Sequence, residues 1–128
     1  GAIALALKFS FDSSEVHPAN HAQLDAVAEG LKRLPENAMI HIAGHTDAYG
    51  HPLYNLDLSL KRAMAVREYF VRVHGIPRGR IVAVGKGKSA PYNRANPYAP
   101  ENRRVQIHAE YDQTAQTPVI GARSVPNG

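Results

Sequence analysis

The segment MIHIAGHTDAYGHPLYNLDLSLKRA, residues 39–63, decides the fold because a strand, a turn-rich loop and a helix follow one another within it. Its first five residues are a β-rich run, which Gly44 closes. Residues 46–52 are dense in turn formers, and a helix begins near Leu53. Apolar residues then recur every three or four positions until Gly75 ends the helix. A loop placed between a strand and a helix in this way is a common site for functional residues.

The rest of the chain adds one helix and three strands to this segment. Residues 3–9 predict a strand, and residues 18–33 predict a helix. Residues 80–85 and 103–109 predict two further strands, separated by a loop over 86–102 that is rich in Pro, Asn and Gly. The order β-α-β-α-β-loop-β predicts an α+β fold in which two helices pack on one face of a mixed four-stranded sheet.

Length and composition bound the domain organisation and the chemistry. A chain of 128 residues allows one domain, which we place at 1–111, and a tail at 112–128 without apolar periodicity is expected to be disordered. The net charge of +4 favours anionic partners. The absence of Cys excludes disulfides, thiolate metal sites and thiol nucleophiles. No apolar run approaches the roughly 18 residues of a membrane span. The sequence leaves open whether a tethering segment precedes Gly1 in the full protein.

Three other classes of function find little support in the sequence. The seven histidines include two pairs four residues apart, but neither pair brings a third ligand in register, so we expect no metal and no cofactor. The basic residues are not interleaved with aromatic residues on a strand, which disfavours nucleic-acid binding. We find no nucleophile elbow and no paired carboxylates, and we therefore expect no catalysis.

A candidate binding site lies around the second helix. Asp47 lies in the loop before it, while Asn55, Ser59 and Arg62 are spaced four and three residues apart and share one face. A carboxylate binds an ammonium group, and a guanidinium fork binds a carboxylate in bidentate fashion. The pair Asp47 and Arg62 therefore suits an α-amino acid centre, and an ordinary ion pair between them remains the alternative.

These residues form part of a longer motif that extends over about residues 5–110. Its central part is Thr46-Asp47-x-x-Gly50-x-x-x-Tyr54-Asn55-x-x-Leu58-Ser59-x-x-Arg62-Ala63. It begins at Phe9-x-Phe11-Asp12-Ser13 and continues through Gly75-Ile76, Arg80-Ile81, Gly85-x-Gly87, Pro91, Asn93 and Asn102-Arg103-Arg104-Val105. The motif resembles that of the OmpA C-terminal-like domains, a family that includes Pal-type lipoproteins and the periplasmic part of MotB-type stators.

The resemblance implies non-catalytic binding of the peptidoglycan stem peptide through meso-diaminopimelate, in a periplasmic domain that anchors an envelope protein to the cell wall near the outer membrane. Asp47 matches the family aspartate that contacts the diaminopimelate ammonium, and Arg62 matches the arginine that contacts its carboxylate. The other ligand-binding positions that the resemblance implies are Asn55, Leu56 through its backbone N–H, Thr46, Phe11, Asp12 and Arg103. Whether Arg103 or Arg104 reaches the ligand stays open.

The resemblance also leaves open a periplasmic interaction module of a stator or secretion component, with weak or regulated wall binding, and a homodimer. It implies no nucleic acid and no membrane contact except through a segment outside this chain. The chain departs from the family pattern at two places in the 86–102 loop. Lys88 stands where relatives commonly have an acidic residue, and Tyr98-Ala99 stands where they often have Gly-Arg.

Overall fold

A computed structural model describes residues 2–5, 7, 9 and 13–111 of the chain. Phe11, Asp12 and the predicted tail at 112–128 lie outside the described residues.

Within the described residues, four strands and two α-helices follow one another in the order β-α-β-α-β-β. The strands are β1 (Ala2–Leu5), β2 (Met39–His45), β3 (Ile81–Gly85) and β4 (Arg104–Glu110), and the helices are α1 (His21–Leu31) and α2 (Pro52–His74). Short 3₁₀ turns at Pro18–Asn20, Arg78–Arg80 and Pro100–Asn102 precede α1, β3 and β4.

The strands form one mixed sheet in the order β1-β4-β2-β3. Strand β4 is antiparallel to both β1 and β2, whereas β2 and β3 are parallel and are connected through α2. The predicted α+β class, with two helices against a sheet, is confirmed. The parallel pairing places the ends of β2 and β3 at the same edge of the sheet, beside the first turns of α2.

The first strand is shorter than predicted. Residues 3–9 were expected to be extended, but β1 ends at Leu5, and residues 7 and 9 are not in a strand. Leu5 pairs with Val105, the second residue of β4. Only Arg104 of β4 lies beyond this pair, so little of the partner strand is left for residues after Leu5. The apolar pattern beyond Leu5 instead reflects burial, since Leu7 is a core residue.

The core lies between the helices and one face of the sheet. Alternate residues Ile40 and Ile42 of β2 and Val105 and Ile107 of β4 are buried on this face. The helices contribute buried residues three and four positions apart, as an amphipathic helix requires. These are Leu24, Ala28 and Leu31 of α1 and Ala63, Val66 and Phe70 of α2.

Helix α2 has well-defined ends. The imidazole of His51 accepts a hydrogen bond from the backbone N–H of Leu53, and Pro52 occupies the first helical position. Gly75 ends the helix in the left-handed conformation, at φ +68°, as the sequence predicts.

Two glycines allow α2 to lie very close to the sheet. A Cβ atom on Gly44 of β2 would overlap the backbone carbonyl of Ser59, and one on Gly85 of β3 would lie 2.6 Å from the backbone nitrogen of Leu60. Both obstacles are helix backbone, which cannot turn aside as a side chain can. The absence of a side chain at these positions therefore sets the distance between α2 and the two strands.

We expect Gly44→Ala to lower the free energy of unfolding by at least about 2 kcal/mol, because the added methyl forces α2 away from the sheet. The matched control is Gly30→Ala in α1, where a Cβ meets nothing within 4 Å. This control should raise the free energy of unfolding by about 0.5 kcal/mol through its better helix propensity. Urea unfolding followed by circular dichroism measures both. Equal effects of the two substitutions would contradict the close contact.

We also expect stability to fall in mild acid because of His45, the last residue of β2. Burial lowers the pKa of His45 from 6.5 to about 4, and the positive charge of Arg104 acts in the same direction. The folded state therefore binds fewer protons than the unfolded state, and the free energy of unfolding falls as pH drops from about 6.5 towards 4. In urea unfolding at several pH values, His45→Phe should lack this part of the decline. Parallel pH profiles for the two proteins would contradict it.

Candidate ligand-binding pocket

A cavity of about 940 Å³ opens where the end of β2, the first turns of α2 and the start of β4 meet. Five of the predicted ligand-binding residues line it: Thr46, Asp47, Asn55, Arg62 and Arg103. Rings of Phe9, Tyr49 and Tyr54 form further parts of the wall. These five predicted residues are thus brought together around one cavity.

Asp47 lies in the loop after β2, and its side chain is only 10% exposed. Its Oδ1 accepts a hydrogen bond from the backbone N–H of Tyr49 at 3.0 Å, which forms a turn of the kind that Asp favours. Its Oδ2 accepts a hydrogen bond from Nη1 of Arg103 at 2.7 Å. The carboxylate is therefore held in one orientation, with Arg103 as its cationic partner.

Arg62 approaches the cavity from α2 and is buried. Its Nε donates a hydrogen bond to the backbone carbonyl of Ser13 at 2.9 Å. Its guanidinium carbon lies 4.8 Å from the centre of the Phe9 ring, a cation–π distance. Among the described residues, the ion pair of Asp47 is with Arg103 and not with Arg62. The alternative of a simple Asp47–Arg62 ion pair is therefore wrong.

Asn55 fixes the loop that carries Asp47. Its side-chain Nδ2 donates a hydrogen bond to the backbone carbonyl of Tyr49 at 2.6 Å. The next residue, Gly50, has φ +90°, a conformation that is unfavourable for residues with a side chain. Asn55 lies in the first turn of α2, and its hydrogen bond therefore holds Tyr49 and the turn that carries Asp47 against the helix.

Ser59 and Thr46 connect the loop after β3 to the same region. The Ser59 Oγ donates to the backbone carbonyl of Leu56 at 2.9 Å and accepts from the backbone N–H of Gly87 at 2.9 Å. The backbone N–H of Thr46 donates to the carbonyl of Gly87 at 2.8 Å. These bonds hold the loop after β3 against both α2 and the end of β2.

The two neighbouring arginines at the start of β4 have different surroundings. Arg103 is half-exposed and reaches Asp47. Arg104 is buried, and burial lowers its pKa. Its Nη2 donates hydrogen bonds to the carbonyl of Ala90 at 2.9 Å and to Oε1 of Gln106 at 3.0 Å. Arg104 therefore supports the 86–102 loop, while Arg103 supplies the charge beside the acid.

Asn102 is a structural residue whose role the sequence motif does not explain. It is completely buried, and its Oδ1 accepts from the backbone N–H of Asn93 at 2.7 Å. Its Nδ2 donates to the carbonyl of Asn96 at 3.0 Å. In the sequence, the interval of nine residues between Asn93 and Asn102 was the feature that could have indicated this role. The hydrogen bonds explain the interval, because they join the two ends of the segment from Asn93 to Asn102.

Leu56 does not line this cavity. Its side chain is 45% exposed and lies in a separate groove on the other side of the loop around residue 48. Phe11 and Asp12 lie outside the described residues, so their predicted roles stay predictions.

The cavity has the chemistry of a site for a charged organic ligand. It is lined by the carboxylate of Asp47, by three arginines (Arg62, Arg103 and Arg104) and by aromatic rings. Across residues 2–5, 7, 9 and 13–111, no three His, Cys, Asp or Glu side chains are grouped so that they could hold a metal ion. Nor does any helix within these residues combine the length and apolar character needed to cross a membrane.

Comparisons with known proteins agree with this fold. Outer membrane porin F from Pseudomonas aeruginosa is 37% identical over 110 residues, which is 84% of this chain and 31% of that protein. The chain thus spans about a third of the length of that relative. Relatives include outer-membrane and peptidoglycan-associated proteins of the bacterial cell envelope.

Solved structures with the same fold include two proteins that are named for peptidoglycan or the cell wall. The peptidoglycan-associated lipoprotein from Burkholderia pseudomallei gives a TM-score of 0.67 at 34% identity, covering 81% of this chain and 88% of that one. The cell wall anchor of the T6SS from Pseudomonas aeruginosa gives 0.69 at 25% identity, covering 86% and 80%. A sequence model of the OmpA family matches residues 8–106, and this chain belongs to the OmpA family.

Proposed function

We propose that this domain binds the stem peptide of peptidoglycan through its diaminopimelate centre and anchors an envelope protein to the cell wall without cleaving it. One observation carries the proposal: Asp47 and Arg62 line the same cavity and are not paired with each other. The free end of the diaminopimelate side chain carries an ammonium and a carboxylate on one carbon. Opposite charges on two walls of one cavity are complementary to such a centre.

The ligand ammonium binds at Asp47, where it replaces or joins Arg103. The Arg103 side chain is 51% exposed, so water can solvate its guanidinium when a ligand cation takes its place at Asp47. A carboxylate also accepts more than the two hydrogen bonds that Asp47 receives here. Exchange of one cation for another keeps the nearly buried charge of Asp47 compensated throughout.

The ligand carboxylate binds on the side of Arg62. Its guanidinium is oriented by the bond to Ser13 and by the Phe9 ring, so little side-chain entropy is lost on binding. Arg is suited to this role because its planar donors match the two oxygens of a carboxylate. The aromatic walls then contact the aliphatic part of the ligand.

A single site of this kind binds weakly, and the polymer makes weak binding sufficient. A few charge-assisted hydrogen bonds at about 1.5–3 kcal/mol each must offset the ordering of a flexible peptide. Peptidoglycan presents many copies of the peptide, and tethering of the domain near the wall raises their effective concentration. The named functions of the relatives, a peptidoglycan-associated lipoprotein and a cell wall anchor, support anchoring in the periplasm.

We expect Asp47→Asn and Arg62→Gln each to weaken co-sedimentation with purified sacculi by about tenfold or more, since each removes a charge-assisted bond. Asp57→Asn and Arg72→Gln are the matched controls, because both residues are exposed on α2 outside the cavity. Thermal unfolding of all four variants identifies any loss of folded protein. Sedimentation of the Asp47 and Arg62 variants at the level of their controls would refute the site.

The same incubation tests the absence of catalysis. Chromatography of the supernatant after overnight incubation should show no soluble muropeptides above the buffer control. Release of fragments by the wild-type domain would contradict a purely binding role.

A further inference from the structure

A second depression lies beside the cavity and is not used by the proposed site. It is a groove of about 600 Å³ between the first turns of α2, the turn after β3 and the proline-rich part of the 86–102 loop. Exposed apolar side chains form much of its surface. Leu53 is 71% exposed, Tyr98 is 50% exposed, and Pro91 and Pro97 complete the lining. A concave surface with apolar walls and a few charged groups is the usual form of a ligand site.

The groove and the cavity share a wall that is one chain segment thick. Asp47 and Tyr49 line the cavity, and Ala48 between them lines the groove. In α2, Asn55 lines the cavity and its neighbour Leu56 lines the groove. Adjacent backbone segments lie about 4.7–4.9 Å apart and an extended peptide advances about 3.3 Å per residue, so one or two residues cross a single chain segment.

The groove is held in its shape without a ligand. The backbone N–H of Ala48 donates to the carbonyl of Pro97 at 2.9 Å and joins the two loops that form its sides. The rings of Tyr49, which lines the cavity, and Tyr98, which lines the groove, meet edge to face with centroids 4.7 Å apart. Little free energy is therefore lost in ordering this surface when a ligand binds.

The charge at the groove is positive. Lys86 and Lys88 line it, both are exposed, and neither makes an ion pair with any residue that the structure describes. The first turn of α2, which forms one side, contains no acidic residue. Lys88 and Tyr98 also belong to the two places where the chain departs from the family motif, Lys88 and Tyr98-Ala99.

We propose that the groove binds the continuation of the same wall peptide beyond diaminopimelate, a short run of small apolar residues ending in a carboxylate. The inference rests on the proposed function, because diaminopimelate must occupy the cavity for the continuation to reach the groove. The methyl groups of the terminal D-alanines contact Leu53, Leu56 and the prolines. The terminal carboxylate lies between Lys86 and Lys88. The domain thereby distinguishes wall peptides that retain their D-alanines from those that end at diaminopimelate.

The test compares two soluble peptides by calorimetry: the wall tripeptide that ends at diaminopimelate, and the pentapeptide that continues with two D-alanines. Wild-type domain should bind the pentapeptide about fivefold more tightly, as expected for one exposed ion pair with some apolar contact. Lys88→Glu and Leu53→Ser should reduce pentapeptide affinity to that of the tripeptide and leave tripeptide affinity unchanged. Both side chains are exposed, so neither substitution should affect folding.

Two controls establish whether contacts in the groove cause the preference for the pentapeptide. Arg94→Glu changes the net charge by the same amount at an exposed position of the same loop outside the groove, and it should retain the preference. A pentapeptide with an amidated C-terminus has no terminal carboxylate to pair with Lys88. Its affinity should therefore exceed that of the tripeptide by less than the affinity of the unmodified pentapeptide does.

The outcomes distinguish this proposal from the one on which it rests. Failure of the wild type to bind the tripeptide overturns the proposed function. Equal binding of tripeptide and pentapeptide overturns the groove proposal alone, and so does an equal effect of Lys88→Glu and Arg94→Glu.

Discussion

The close contact of α2 with β2 and β3 is the constraint on which the rest of the structure depends. Gly44 and Gly85 leave no side chain between the strands and the helix backbone at Ser59 and Leu60. Because β2 and β3 are parallel, the loops that follow them leave the sheet at the same edge, beside the start of α2. The glycines therefore bring both loops within hydrogen-bonding distance of the first turns of the helix.

Helix α2 uses this position to organise the site from one face. Asn55 bonds to the loop after β2, Ser59 bonds to the loop after β3, and Arg62 faces the cavity between them and the first part of the chain. All three are buried polar residues, so each lost bond would leave a desolvated group that costs about 1–3 kcal/mol. A site with such supports is held in shape without a ligand, which reduces the conformational entropy that binding costs.

The charge arrangement at Asp47 explains how the cavity stays stable without a ligand. A nearly buried carboxylate needs a compensating cation, and Arg103 supplies it from the start of β4. Arg103 is half-exposed, so water can solvate its guanidinium in the exchange with a ligand ammonium that we propose. Arg104, by contrast, is buried among carbonyl groups and serves the loop. Arg103 thus balances the charge of Asp47, and Arg104 holds the 86–102 loop beside the cavity.

Sequence periodicity was sufficient for the elements that are local in the chain, and it was insufficient where two distant segments meet. The spacing of apolar residues and Gly75 predicted α2, and the four- and three-residue spacing placed Asn55, Ser59 and Arg62 on one face. Arg103 is the partner of Asp47 because His45 pairs with Arg104, which brings the start of β4 beside the end of β2. Local sequence patterns do not predict this pairing, because the two strands are far apart in the chain. The premature end of β1 has the same origin, since it follows from where β4 begins.

The central claim is that Asp47 binds the ammonium of an amino-acid centre, and a cycle of two proteins and two ligands tests it most directly. Wild type and Asp47→Ala are each titrated with the wall tripeptide and with a tripeptide in which that ammonium is replaced by hydrogen. We expect Asp47→Ala to weaken binding of the first ligand by about tenfold or more and to change binding of the second by less than about twofold. An equal loss for both ligands would show that Asp47 only supports the pocket, and it would contradict the claim.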